Sequence, residues 1–106
     1  MIPLIKQHHQ EIEALCKQFR VQRLDLFGSA AKGTFKPESS DLDFIARFAD
    51  TSAPDYADRY IQFAESLEGL FKRPVDVLTE RMVGKSEFRL NIEPTRQIVY
   101  EQRSQT

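Results

Sequence analysis

The sequence predicts an α/β (α+β) fold in which helices pack on one small mixed β-sheet. Three observations lead there. Residues 4–20 carry apolar side chains at helical spacing, and four later segments switch to the alternating or short apolar pattern of strands. A long helical stripe then separates the second of those strands from the third, which suits a helix packed on a sheet.

Each element has its own reason. Ile5, Ile12, Leu15, Cys16 and Phe19 recur on one helical face, with Gln, Glu and Lys opposite. In residues 21–27, Leu24 and Leu26 alternate with Arg23 and Asp25, which reads as a strand. Gly28 stops it, residues 29–32 read as a short helical turn ended by Gly33, and residues 34–40, with Pro37 and two serines, read as a loop. Residues 41–48 form a second strand, apolar enough to be central. Pro54 marks the start of a helix that runs to about Phe71, burying Tyr56, Tyr60, Phe63, Ala64, Leu67, Leu70 and Phe71. Residues 73–79 make a third strand with Pro74 at its start, where a missing N–H matters least. A short helix is expected over 84–90, a break at residues 91–94, and a last strand over 97–101.

Composition narrows the classes of function. A chain of 106 residues suffices for one domain with one core, so residues 1–106 read as a single domain. No stretch approaches the ~20 apolar residues of a membrane span, and no secretory signal is visible in the first residues. The single cysteine, Cys16, has no partner within the chain, which points to a reducing cytoplasm. Fifteen basic residues against sixteen acidic give a net charge of −1. A dedicated binder of nucleic acid carries a basic excess, so direct nucleic-acid binding is not expected.

The chemistry concentrates on three acids. Asp41 and Asp43 lie two apart in a strand, so they leave the same face, while Leu42 and Phe44 point into apolar packing. Two carboxylates ~6–7 Å apart repel by roughly 2–3 kcal/mol at an effective dielectric of 20, which a bound cation relieves. Asp76 stands in the next strand between Val75 and Val77. Should that strand neighbour the second, the acids converge, and such a set can hold two metal ions for phosphoryl chemistry. Gly28-Ser29 follows the first strand directly, a place where backbone N–H groups approach a phosphate. Asp25 lies close by and is a candidate for supporting a metal from behind. Elsewhere the residues read as structural: His8 and His9 as helix surface, Cys16 as core, and Tyr56, Tyr60 and Phe63 as packing.

Leu26-Phe-Gly-Ser-Ala-Ala-Lys-Gly33, Ser40-Asp-Leu-Asp-Phe44 and Pro74-Val-Asp-Val-Leu78 together resemble the pattern of the minimal nucleotidyltransferase (MNT) family, in the polymerase-beta-type superfamily. The resemblance spans residues 24–78 and implies a polymerase-beta-like nucleotidyltransferase fold. It implies that Gly28, Ser29 and Lys32 bind the nucleoside triphosphate, and that Asp41, Asp43 and Asp76 are both the catalytic acids and the metal ligands. Two Mg²⁺ ions and ATP are the implied cofactor and substrate. Many relatives place arginine where this chain has Ala30 and Lys32; the lysine keeps a cation, without the bidentate fork. So short a chain resembles the antitoxin of HEPN/MNT pairs, which transfers AMP from ATP to a tyrosine of a HEPN ribonuclease toxin. The implied partner is that toxin, in a cytoplasmic hetero-oligomer. The alternative is a non-catalytic antitoxin that neutralises its HEPN partner by direct binding.

Overall fold

The structure, a computed structural model, describes residues 3–28, 42–83 and 96–102. In chain order the elements are α1 (Pro3–Gln7), α2 (His9–Gln18), β1 (Val21–Phe27), β2 (Leu42–Phe48), α3 (Tyr56–Phe71), β3 (Val75–Thr79), α4 (Glu80–Val83) and β4 (Gln97–Glu101). The strands form one mixed sheet in the order β3-β2-β1-β4. β1 runs antiparallel to both β2 and β4, whereas β2 and β3 are parallel, with α3 as the connection. β1 and β2 thus form an antiparallel pair, and α3 makes the crossover between the parallel strands β2 and β3.

Strand alternation sorts the side chains into two layers. Leu24, Leu26, Leu42, Phe44, Ala46, Phe48, Val75 and Val77 face the helices and join Ile5, Ile12, Cys16, Phe19, Phe63, Leu67 and Phe71 in the main core. The expected stripe of α3 is buried there, with Tyr56, Tyr60, Ala64 and Leu70 partly covered at its margins. Cys16 is wholly enclosed, and burial pushes its thiol up to about 12, with the charge of Glu13 adding to the rise. It is a packing residue, as expected.

The structure departs from the sequence expectation in three places. The helix expected over 4–20 is broken at His8. There the backbone N–H donates to Ile5 O at 3.2 Å, one residue short of the α-helical partner, and the ring Nδ1 takes the Leu4 carbonyl at 3.0 Å instead. The same ring stands edge-on to Phe71, with centroids 5.3 Å apart, so His8 packs while His9 remains exposed. The second departure is α4, which follows β3 without a gap; the Thr79 hydroxyl accepts the Met82 N–H at 3.3 Å and caps it. The third is Arg59, a charged residue buried on the inner side of α3. It donates to Phe19 O at 3.2 Å and Asp50 O at 2.8 Å, and its Nε reaches Asp55 at 3.2 Å. Arg20 pairs with Asp50 and Asp55 beside it. This clasp ties the end of α2, the turn after β2 and the start of α3. The helix expected over 84–90 lies outside the described residues.

Candidate functional site

The second face of the sheet carries the polar chemistry, in rows set by strand register. Phe27, Asp43 and Asp76 form one row across β1, β2 and β3. Ile98, Asp25, Ile45 and Leu78 form the next, and Glu101, Arg23 and Arg47 the one beyond. Parallel pairing of β2 with β3 puts Asp43 directly beside Asp76, as the sequence required for convergence. Neighbouring strands lie about 4.8 Å apart, and two carboxylates near that spacing repel by roughly 3 kcal/mol at an effective dielectric of 20. Asp43 is half-buried and Asp76 exposed, and both line an open cleft of about 390 Å³ with Phe27, Val77 and Leu78.

Gly28 closes the first row at the end of β1. Its φ of +72° is left-handed, a conformation that side chains resist. A Cβ built there would stand 2.5 Å from Asp43 Oδ2. Glycine therefore answers two needs at once: the turn out of β1, and room for the Asp43 carboxylate against the backbone. That packing links the glycine of the predicted nucleotide loop to an acid of the predicted metal pair. Asp41, Ser29 and Lys32 lie outside the described residues.

The donor set suits a hard divalent cation. Among the described residues there is no group of three His, Cys, Asp or Glu able to cage a metal. The carboxylate pair on adjacent strands, open to a cleft, instead matches Mg²⁺, which binds through one or two carboxylates and keeps several waters for a phosphate chain. A larger groove of about 610 Å³ runs along α2 and β4, lined by His9, Glu13, Lys17, Val99, Tyr100, Glu101 and Gln102. There Lys17 engages Glu13 at 3.1 Å, and no two acids stand in register. The paired acids line the smaller cleft.

Asp25 plays a different part from the one considered for it. Its carboxylate is completely buried, accepts from Arg23 Nε at 2.9 Å and pairs with Arg96, which also engages Glu80. Burial by itself would lower the Arg96 pKa, but the bonds to Glu80 and Asp25 outweigh it and raise it. Both Asp25 oxygens are thus engaged by arginines. The carboxylate fastens the entry of β4 to β1 and to the start of α4, over the small apolar cluster of Phe27, Ile45 and Leu78. Sequence reasoning missed the Arg96 link because its partner lies 71 positions away. Tyr60, read as packing, also donates its hydroxyl to the Val77 carbonyl, next to Asp76.

The model of the nucleotidyltransferase domain family matches residues 9–102. Comparison with curated proteins finds no match. Among solved structures, one assigned as a minimal nucleotidyltransferase is 26% identical with a TM-score of 0.67, over 86% of this chain and 88% of that one. A chain of a toxin–antitoxin complex with AMP-PNP is similar at 20% identity and TM-score 0.62, covering 90% of this chain and 74% of that one. A chain from the complex of a tri-AMPylated Shewanella oneidensis HEPN toxin with its MNT antitoxin gives 18% and 0.60, over 92% and 73%. At such identities the last two show the fold. Among the described residues no helix is long and apolar enough to cross a membrane. With the family model spanning most of its length and the mixed sheet of minimal nucleotidyltransferases beneath its acids, the chain belongs to the nucleotidyltransferase domain family.

Proposed function

We propose that this chain is a Mg²⁺-dependent nucleotidyltransferase that transfers AMP from ATP to a tyrosine hydroxyl of a HEPN-domain toxin and thereby acts as its antitoxin. The observation that carries the reading is the register pairing of Asp43 with Asp76, beside a glycine that leaves room for the Asp43 carboxylate. Similarity to chains of toxin–antitoxin complexes, one with a tri-AMPylated toxin, supports the choice of partner and nucleotide. The lone buried cysteine suits a cytoplasmic complex.

In this reading Gly28, Ser29 and Lys32 bind the triphosphate, while Asp41, Asp43 and Asp76 hold up to two Mg²⁺ ions. Bound Mg²⁺ neutralises the phosphate chain and eases departure of pyrophosphate. In the same reading Asp76, exposed and lining the cleft, accepts the proton of the attacking hydroxyl. The new bond joins the tyrosine oxygen to the α-phosphorus, and the bond that breaks releases pyrophosphate. The cleft is open, so the acceptor supplies part of the site, which favours a protein over a small molecule.

The test is to incubate the chain with Mg-ATP and a HEPN-domain protein encoded beside it, then weigh that partner by intact mass spectrometry. A gain of one or more AMP units, lost in an Asp41→Asn/Asp43→Asn variant, is the expected result. A stable complex that silences the partner without any mass change would replace this reading with a non-catalytic antitoxin that acts by binding.

A further inference from the structure

Asp76, which lines the cleft, sits on an edge strand. β3 has five residues and stands at the edge of the sheet, paired with β2 alone among the described residues. The Leu42 N–H donates to the Pro74 carbonyl at 3.3 Å. In a parallel ladder the groups that face one neighbour recur at every second residue. The backbone of Asp76 and Leu78 therefore faces β2, and the Val77 carbonyl faces outward. That outward carbonyl accepts the hydroxyl of Tyr60 from α3. The Tyr60 ring is itself fixed against Phe48, with centroids 5.8 Å apart and planes tilted by 40°.

We infer that Tyr60 is a positioning residue: through the Val77 carbonyl it fixes the placement of Asp76 beside Asp43. The inference rests on the reading that Asp43 and Asp76 together hold the metal. A site of this kind needs its ligands within about 0.5 Å of the working geometry. Pairing along one side leaves an edge strand free to fray, and the Tyr60 bond restrains the other side at the residue after the ligand.

Tyr60→Phe tests this, because it keeps the ring on Phe48 and removes only the donor. Tyr56→Phe is the control, a hydroxyl removed one turn earlier against the same Phe48. Mn²⁺ is titrated against each full-length variant by electron paramagnetic resonance, and amide exchange is followed in residues 75–79. Loss of one hydrogen bond should weaken Mn²⁺ binding about five- to tenfold and speed exchange in β3 by a similar factor. Transfer should show a lower kcat at unchanged KM for ATP, while Tyr56→Phe stays within twofold of wild type throughout. Wild-type Mn²⁺ affinity and β3 exchange in Tyr60→Phe would overturn the inference, as would equal losses in both tyrosine variants. Asp76→Asn separates the two levels. If it retains wild-type Mn²⁺ affinity, the metal reading fails and the positioning role goes with it. If it loses Mn²⁺ while Tyr60→Phe does not, the Tyr60 inference alone is wrong.

Discussion

Replacing Gly28 by alanine separates fold from chemistry in one substitution. The backbone there has φ +72°, and an L-residue in that region costs about 1–2 kcal/mol. For a domain of this size that lowers Tm by roughly 4–15 °C and leaves most molecules folded at 25 °C. The new methyl would also lie 2.5 Å from Asp43 Oδ2. Ordinary contact needs about 3.5 Å, so the carboxylate must retreat by roughly 1 Å. It is the end of a side chain that can rotate, so the retreat adds little to the folding cost. A misplacement of ~1 Å at a reacting site can cost 10²-fold in rate. The expected outcome is therefore a folded protein with a modestly lower Tm and about 100-fold slower nucleotidyl transfer. Thermal unfolding and a transfer assay at 25 °C measure the two effects on one preparation. Transfer within threefold of wild type, alongside the expected fall in Tm, would refute the claim that Gly28 exists to seat the Asp43 carboxylate.

Three further outcomes follow from the same structure. Arg59→Ala removes a buried guanidinium and strips the Phe19 and Asp50 carbonyls of its bonds. The loss should be about 3 kcal/mol, read as a fall of more than ~10 °C in Tm. Cys16, with its thiol pushed up to about 12, stays protonated in the folded chain, while the unfolded chain ionises near its ordinary value of 9.0. The native state then binds more protons, so stability should fall as pH rises from about 9 towards 12, by at most ~1.4 kcal/mol per pH unit. Denaturant titrations across that range check the sign, and Cys16→Ala should flatten the slope. Gly69 lies in α3 with nothing within 4 Å of a built Cβ, so Gly69→Ala should stabilise by about 0.5–1 kcal/mol, measured as a higher denaturation midpoint.

How far the sequence reached depends on the range of the interaction concerned. Alternation across Leu24, Leu26, Leu42 and Phe44 is local, and it gave the strands and the face that packs on the helices. The same alternation placed Asp43 and Asp76 on the opposite face. Their meeting, however, depended on β3 lying beside β2 in parallel, which no single strand encodes; the helix between them only made it the natural connection. Interactions across the chain were hidden. Asp25 looked like a polar position near the acids, and nothing in its neighbourhood announces Arg96. Arg59 lies on the buried stripe of α3, four residues before Phe63, and its charge suggests solvent until the carbonyls of Phe19 and Asp50 are brought to it. The break at His8 turns on a ring nitrogen replacing a backbone N–H, a choice that helical spacing does not report. Thr79-Glu80 did carry a signal for α4, a hydroxyl residue ahead of an acid, but it was masked by its position at the end of a strand.

The central claim is that Asp43 and Asp76 act as one site on adjacent strands. It is tested most directly by a crystal structure of the chain grown with Mn²⁺ and a non-hydrolysable ATP analogue, with data collected at the manganese edge. The expected result is an anomalous peak at the carboxylates of Asp43 and Asp76, with the triphosphate against Gly28. Manganese bound elsewhere, or a nucleotide seated in the groove along α2 and β4, would contradict it.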